Sequence, residues 1–370
     1  MHILFAGGGT AGHVNPALAI AGYIKEKHPN AKISYIGTKS GIEARLVPAT
    51  GFDFYTIEVS GFQRKLSAKN IARNVSAIVK VVTASAASRK LLKTLKPDVV
   101  IGTGGYVSGP VLREAAKLGI KTAIHEQNAF PGVTTKMLAN KVDRVMLAMQ
   151  AAEKHLSLNK KPYITGNPVR TALIGVSKEE AKTALNMDNR PVILSFGGSL
   201  GAKYVNQAVC DLIKWHNKTG KFYHIHGCGK AGYNTTLEAL KDIDLCDEIS
   251  IREYIDDMQL CMAAADVVIC RAGAITLSEL QICGKPSILI PSPYVAENHQ
   301  FHNAMSLKNI GAAEIIEEKD LSGEKLIEVV SSIINDKNRL EEMSINAKNS
   351  AISDSNERIY KIVMDLYTNC

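Results

Sequence analysis

Short apolar runs that end in glycine recur along the chain, each followed by a stretch able to form a helix. Residues 3–6 run into Gly7-Gly8-Gly9-Thr10-Ala11-Gly12-His13, with helix-compatible sequence over 16–25. Residues 192–196 run into Gly197-Gly198-Ser199-Leu200-Gly201, with helix-compatible sequence over 202–215. A strand, a glycine turn and a helix start present backbone N–H groups to an anion. Two such turns, one in each half of the chain, predict two nucleotide-fold domains facing a cleft.

The same patterning predicts first-half strands at 3–6, 32–36, 54–57, 98–102, 121–125 and 144–147, with helices over 16–27, 42–49 and within 68–95. Second-half strands are expected at 192–195, 222–226, 249–252, 267–270, 287–290 and 313–316, with a helix starting at 276–281. The alternation requires an α/β fold of two doubly wound, Rossmann-like parallel sheets, whose ligands lie at the carboxyl ends of the strands. The turn-rich residues 158–170 read as the crossing between domains. The expected division is 1–165 plus about 353–370, and 166–352, with helix-forming sequence from Glu357 onward returning to the first domain.

Charge changes this picture. Residues 1–165 carry 23 Lys and Arg against 9 Asp and Glu, a net +14, whereas residues 166–370 carry 21 against 27, a net −6. Residues 59–97 hold nine basic side chains and no acid, interleaved with Leu66, Ile71, Val75, Ile78, Val79 and Val82 near the helical period. An apolar strip between positive flanks is how an interfacial helix meets an anionic membrane surface; the alternative is a solvated basic face above an ordinary buried helix. Nucleic acid is disfavoured, because Phe62 is the stretch's one aromatic and no base-reading motif is present. The seven cysteines, all at 210 or beyond, form no Cys-x-x-Cys pair or Cys/His cluster, which fits reduced thiols and no metal site. The first residues read as a strand rather than a secretory leader, and no uncharged apolar run reaches the roughly 18 residues needed to span a bilayer. Membrane contact, if made, is therefore expected to be peripheral.

For chemistry, His13 stands between a glycine loop and a helix start, where the positive end of the dipole disfavours imidazolium and leaves a neutral base. His125 and Glu126 end a neighbouring strand and compete for that role, Glu126 as base or as ring-orienting partner. Backbone N–H groups at Ser199 and after Gly273-Ala274 can hold an anion with no metal. His224 and His226 lack further ligands at metal-binding spacing. The Gly7-x-Gly9-x-x-Gly12 run also fits a dinucleotide-dependent oxidoreductase, but Ile36-Gly37-Thr38-Lys39 offers no acid to an adenosine ribose.

Seven blocks then occur in one order: Gly-Gly-Thr-Ala-Gly-His-Val-Asn-Pro from Gly8, Gly-Gly-Tyr-Val-Ser-Gly-Pro from Gly104, His-Glu-Gln-Asn from His125, Gly-Asn-Pro-Val-Arg from Gly166, Gly-Gly-Ser-Leu-Gly-Ala from Gly197, Tyr-Ile-Asp-Asp-Met from Tyr254, and Arg-Ala-Gly-Ala-Ile-Thr-Leu-Ser-Glu from Arg271. So ordered, the chain resembles the MurG family of bacterial cell-wall N-acetylglucosaminyltransferases along essentially its whole length. The resemblance implies the B-type glycosyltransferase fold. It also implies inverting transfer of N-acetylglucosamine from UDP-N-acetylglucosamine to undecaprenyl-linked lipid I, giving lipid II, on the cytoplasmic face of the cell membrane without a cofactor.

By resemblance, Ala274, Ile275, Thr276, Leu277, Ser278 and Glu279 bind the nucleotide, with Glu279 on the ribose and Ile255 at the uracil. Arg170 and Ser199 match positions around the diphosphate, Asn128 and Gln300 positions around the sugar, and Thr10, Ala11 and Gly12 the loop that approaches the donor. Gly104, Gly105 and Tyr106 can hold the acceptor's diphosphate. Two departures stand out: Ala11 replaces the family's usual glycine, and His299 stands where many relatives have glutamine. A UDP-N-acetylglucosamine 2-epimerase shares the expected architecture but needs no basic membrane-facing strip.

Overall fold

The computed structural model describes residues 1–59, 83–169, 173, 175–198 and 201–369. Its contacts divide the chain into Met1–Val169 with Asp354–Cys370, and Arg170–Ser353. The change of unit thus falls at Val169 and Arg170 rather than at 165 and 166.

Among the described residues, the first unit holds seven parallel strands: β1 (His2–Ala6), β2 (Lys32–Gly37), β3 (Asp53–Thr56), β4 (Val99–Gly102), β5 (Lys121–Glu126), β6 (Arg144–Leu147) and β7 (Tyr163–Ile164). Their spatial order is β3-β2-β1-β4-β5-β6-β7. Between them run α1 (Ala11–Lys27), α2 (Glu43–Leu46), α3 over 83–95, α4 (Gly105–Lys117) and α5 (Val133–Leu138). Both faces of the sheet are covered, as strand alternation makes visible. Ile3, Phe5, Val99 and Ile101 point into one apolar cluster with α1, whereas Leu4, Ala6 and Val100 point into another with α4.

The second unit holds β8 (Val192–Phe196), β9 (Tyr223–Gly227), β10 (Ile249–Arg252), β11 (Val267–Cys270), β12 (Ser287–Leu289) and β13 (Ala313–Ile315), in the parallel order β10-β9-β8-β11-β12-β13. Helices α6 (Lys178–Ala184), α7 (Lys203–Thr219), α8 (Tyr233–Leu240), α9 (Met258–Ala264), α10 (Ala274–Ile282), α11 (His299–Lys308), α12 (Gly323–Ile334) and α13 (Lys337–Asn349) complete it. The last helix, α14 (Ser355–Thr368), belongs to the first unit: Ile359, Val363 and Leu366 enter the α1 cluster, and Tyr23 donates to Glu357 at 2.7 Å.

In each sheet the strand order reverses beside the first strand, between β1 and β4 and between β8 and β11. Loops leaving these neighbours diverge and open a crevice at the carboxyl edge. All four glycine-bearing turns singled out in the sequence leave those strands.

Of the basic stretch, residues 60–82 lie outside the described residues. In α3, Ala84 and Leu92 join the core while Arg89, Lys90 and Lys93 are exposed. This described part buries one face in the core and leaves its basic side chains exposed. Among the described residues, no helix is long and apolar enough to cross a membrane.

Candidate active site

Helix α1 begins at Ala11, five residues before the expected start, so Gly12 and His13 belong to its first turn. Pro16 invited the later start because proline favours the first helical position. Thr10 is the N-cap and makes no side-chain capping bond, which leaves first-turn amides for a ligand or water. Ala11 is helical and absent from the positive-φ residues, so its departure from glycine carries no strain.

The preceding turn is not the open phosphate cradle expected of it. Glu43, which is wholly buried, lies behind it: Oε2 accepts from the Gly9 N–H at 3.2 Å, and Oε1 from the Thr38 N–H and hydroxyl at 3.0 and 2.8 Å. A carboxylate already holds one amide of this turn, and its charge opposes an anion there.

Three contacts hold His13. Thr103 donates its hydroxyl to the His13 carbonyl at 2.7 Å, Gln127 Oε1 lies 3.3 Å from Nδ1, and the ring rests on Gly104, where a Cβ would come within 2.7 Å of Nδ1. Gly104 and Gly105 have φ of +102° and +75°, which favours glycine at both. A Cβ on Gly105 would lie 2.1 Å from the Gly8 carbonyl oxygen, and one on Gly9 would lie 2.8 Å from the Tyr106 ring. The turn after β4 thus sets Gly104, Gly105 and Tyr106 directly against the turn that carries Thr10, Ala11, Gly12 and His13.

The block that ends β5 and leaves it separates into two pairs by strand alternation, which places residues two apart on one side. On one side, Gln127 Nε2 donates to His125 Nδ1 at 3.0 Å and to the His125 carbonyl at 2.9 Å. On the other, Glu126 Oε1 accepts from the Asn128 N–H and side-chain amide, each at 3.1 Å, while Oε2 accepts from the Gly132 N–H at 3.0 Å and the Thr135 hydroxyl at 2.6 Å. Glu126 is 3% exposed with both oxygens engaged, so it ties together the loop between β5 and α5 and holds the Asn128 side chain. His125 is fully buried, its pKa is lowered by that burial, and its Nε2 lies 3.0 Å from the Gly166 carbonyl. It too is internal to the protein.

In the second unit, the turn after β8 closes with Gly201 donating to the Gly198 carbonyl at 2.8 Å, and both glycines have positive φ. Ser199 and Arg170 lie outside the described residues. Ala274 through Glu279 form the first turns of α10, whose N-cap Gly273 offers no side chain. Leu277 is fully buried, whereas Ile275, Thr276 and Ser278 are half-buried. Glu279 is 6% exposed. Ile255 packs against Gly227 at the end of β9, where a Cβ would lie 2.9 Å from Ile255 Cδ1. Gln300, in the first turn of α11, accepts the Ser292 N–H at 2.9 Å and so ties down the loop before that helix, and His299 Nδ1 lies 2.8 Å from the Ala296 carbonyl. Among the described residues, no group of three His, Cys, Asp or Glu could hold a metal.

Two family descriptions match the chain: the glycosyltransferase family 28 N-terminal domain over residues 3–147 and its C-terminal domain over 192–359. A relative from Acetivibrio thermocellus, named UDP-N-acetylglucosamine–N-acetylmuramyl-(pentapeptide) pyrophosphoryl-undecaprenol N-acetylglucosamine transferase, is 47% identical over 370 residues, covering 100% of this chain and 99% of that protein. The chain is a glycosyltransferase of family 28, of the MurG type. The crystal structure of Acinetobacter baumannii MurG matches this family 28 enzyme with a TM-score of 0.81 at 29% identity, covering 98% of this chain and 99% of that one. A Neisseria meningitidis UDP-GlcNAc 2-epimerase bound to UDP-GlcNAc matches with a TM-score of 0.66 at 14% identity, a likeness of fold alone. The fold is thus the B-type glycosyltransferase fold.

Sequence reasoning missed Glu43, Thr103 and Gln127. Only the last carried a local signal, its spacing of two from His125 at a strand end.

Proposed function

We propose that the chain transfers N-acetylglucosamine from UDP-N-acetylglucosamine to lipid I, producing lipid II for peptidoglycan synthesis. The observation that carries this reading is full-length identity of 47% to a transferase of that name. The epimerase alternative has only likeness of fold behind it.

In the reaction, an acceptor hydroxyl oxygen bonds to the anomeric carbon from the face opposite the diphosphate. The bond from that carbon to the diphosphate oxygen breaks, and UDP leaves with the electron pair. His13 takes the hydroxyl proton, a role supported by its half-buried ring at the amino end of α1. The donor lies in the second unit. There the uncapped start of α10 stabilises the diphosphate together with Ser199 and Arg170, Glu279 accepts from the ribose hydroxyls, and Ile255 meets the uracil. Asn128 and Gln300 serve the sugar, and Gly104, Gly105 and Tyr106 the acceptor diphosphate. The enzyme works peripherally on the cytoplasmic membrane face, through basic residues in the 59–97 stretch.

Radiolabel transfer from UDP-N-acetylglucosamine to a lipid I analogue tests the activity; free epimerised sugar as sole product defeats it. His13→Ala should lower kcat by about 10²–10⁴-fold with little change in donor KM. Unchanged turnover would remove His13 from the mechanism. Neutralising Lys65, Lys69 and Arg73 should weaken binding to anionic vesicles by about 1 kcal/mol per charge, and unaltered binding would exclude that surface.

A further inference from the structure

We propose that Gln127 is a positioning residue: locked in one orientation by His125, its amide holds the His13 imidazole in the tautomer whose Nε2 can take a proton. The proposal deepens the reading of His13 as base and rests on it.

Gln127 is 2% exposed, and its backbone carbonyl accepts from Asn167 at 3.2 Å, so both ends of the residue are fixed. Its amide cannot turn over. The two hydrogens of Nε2 point at the His125 carbonyl and at His125 Nδ1, and a flip would set the amide oxygen against that carbonyl with no proton between them. His125 agrees with this assignment from its other side. Its Nε2 faces the Gly166 carbonyl, which can only accept, so the ring proton is on Nε2 and Nδ1 is the acceptor Gln127 requires. Burial lowers the pKa of this ring, which favours its neutral form.

Gln127 Oε1 is left facing His13 Nδ1 at 3.3 Å. An amide oxygen can only accept, so His13 must carry its proton on Nδ1, and the lone pair of the neutral ring is on Nε2. The chain runs from the Gly166 carbonyl through His125 and Gln127 to His13, with each donor and acceptor determined by the one before. It performs the office of a carboxylate behind a catalytic histidine, fixing tautomer and ring orientation, but with a neutral amide. The contact is long for a hydrogen bond, as catalytic contacts commonly are before substrate binds.

The test pairs ¹⁵N NMR of the histidine rings in the full chain with pH profiles of kcat/KM for transfer to a lipid I analogue. His13→Ala identifies the His13 signals by their loss. Above the His13 titration, Nδ1 should be protonated and Nε2 bare. Gln127→Leu should move the proton toward Nε2 and lower kcat by at least about 10-fold, within the about 10²–10⁴-fold that a general base supplies. Gln127→Glu should restore the Nδ1–H form, recover part of the rate, and move the acidic limb of the profile upward, because a negative acceptor favours imidazolium. Protonation on Nε2 in the parent protein, or a tautomer unchanged by Gln127→Leu, overturns the proposal. A tautomer that shifts without loss of rate supports the lock and instead overturns the reading of His13 as base.

Discussion

The carboxylate of Glu43 and the backbone N–H of Gly9, 34 residues apart in sequence, meet at 3.2 Å beneath the first glycine turn. The turn therefore takes its shape from an acid behind it as well as from its glycines. Space confirms how closely the parts fit, since a Cβ at Gly8 would lie 2.5 Å from Glu43 Oε1 and one at Gly41 only 2.2 Å away. Glu43→Ala strands the buried Thr38 amide and hydroxyl and frees the Gly9 amide at the exposed turn, and each buried donor left unmade costs about 1–3 kcal/mol. A loss of roughly 3 kcal/mol in urea unfolding is expected, with a fall in kcat/KM as Gly9 and the helix start behind it relax. Glu43→Gln keeps the volume but turns an NH2 toward donors, and should lie between. Parent-like stability in Glu43→Ala would mean that the glycines shape the turn unaided.

The parallel sheets were legible because their strands are short apolar runs closed by glycine or a charged residue; 249–252 and 267–270 match the observed bounds outright. Strand β7 was not legible: two residues at a sheet edge leave no period to detect. Within the site, His13 could be picked out from its place beside a helix start. The surroundings that make it useful could not, because Thr103 and Gln127 reach it across 90 and 114 residues. The resemblance supplied the block that ends β5 and leaves it as four adjacent letters. What it could not supply is that alternation sends His125 and Gln127 to one side and Glu126 and Asn128 to the other, so that Gln127 reaches His13 while Glu126 bonds Asn128.

Gly104→Ala tests how tightly His13 is held. The added Cβ would lie 2.7 Å from His13 Nδ1, where Gln127 makes its contact, and the backbone there has φ of +102°. Strain of this kind costs about 1–3 kcal/mol, so the melting temperature should fall. The rate should fall further than the stability implies, with kcat dropping about 10-fold or more at temperatures where the variant is fully folded, because a small misplacement of a base is costly. A folded variant with parental kcat would show that the ring position is not critical.

Glu279 addresses the donor. It sits in the second turn of α10, 6% exposed, on the helix whose start is assigned to the diphosphate. Glu279→Gln keeps the shape and removes the charge, which should weaken ribose binding by about 1.5 kcal/mol or more. By the factor of ten per 1.4 kcal/mol, the Kd for UDP should rise at least about 10-fold, measured by calorimetry on the folded variant. An unchanged Kd would leave Glu279 as a helix residue only.

The last prediction concerns acid stability and a cluster the reaction does not use. His224 Nε2 and His226 Nδ1 both lie 2.8 Å from Ser195 Oγ, and His216 stacks on Phe222 with centroids 4.0 Å apart. All three rings are wholly buried. Burial lowers His216 and His226 to about 4, and His224, which also feels the other two histidines, lies well below its ordinary value. These rings are neutral in the fold, while in the unfolded chain they gain protons as pH drops below about 6.5. Their stability is thus fully present above pH 6.5 and lost as pH falls toward 4, with a slope of up to about 1.4 kcal/mol per pH unit for each ring. Neither nitrogen of His216 has a hydrogen-bond partner among the described residues, so replacing the ring by an apolar one of similar size removes a titrating group and leaves no partner stranded. His216→Phe should be as stable as the parent at pH 7.5, more stable at pH 5, and shallower in its pH dependence when followed by urea unfolding. An unchanged slope would assign acid unfolding to other groups.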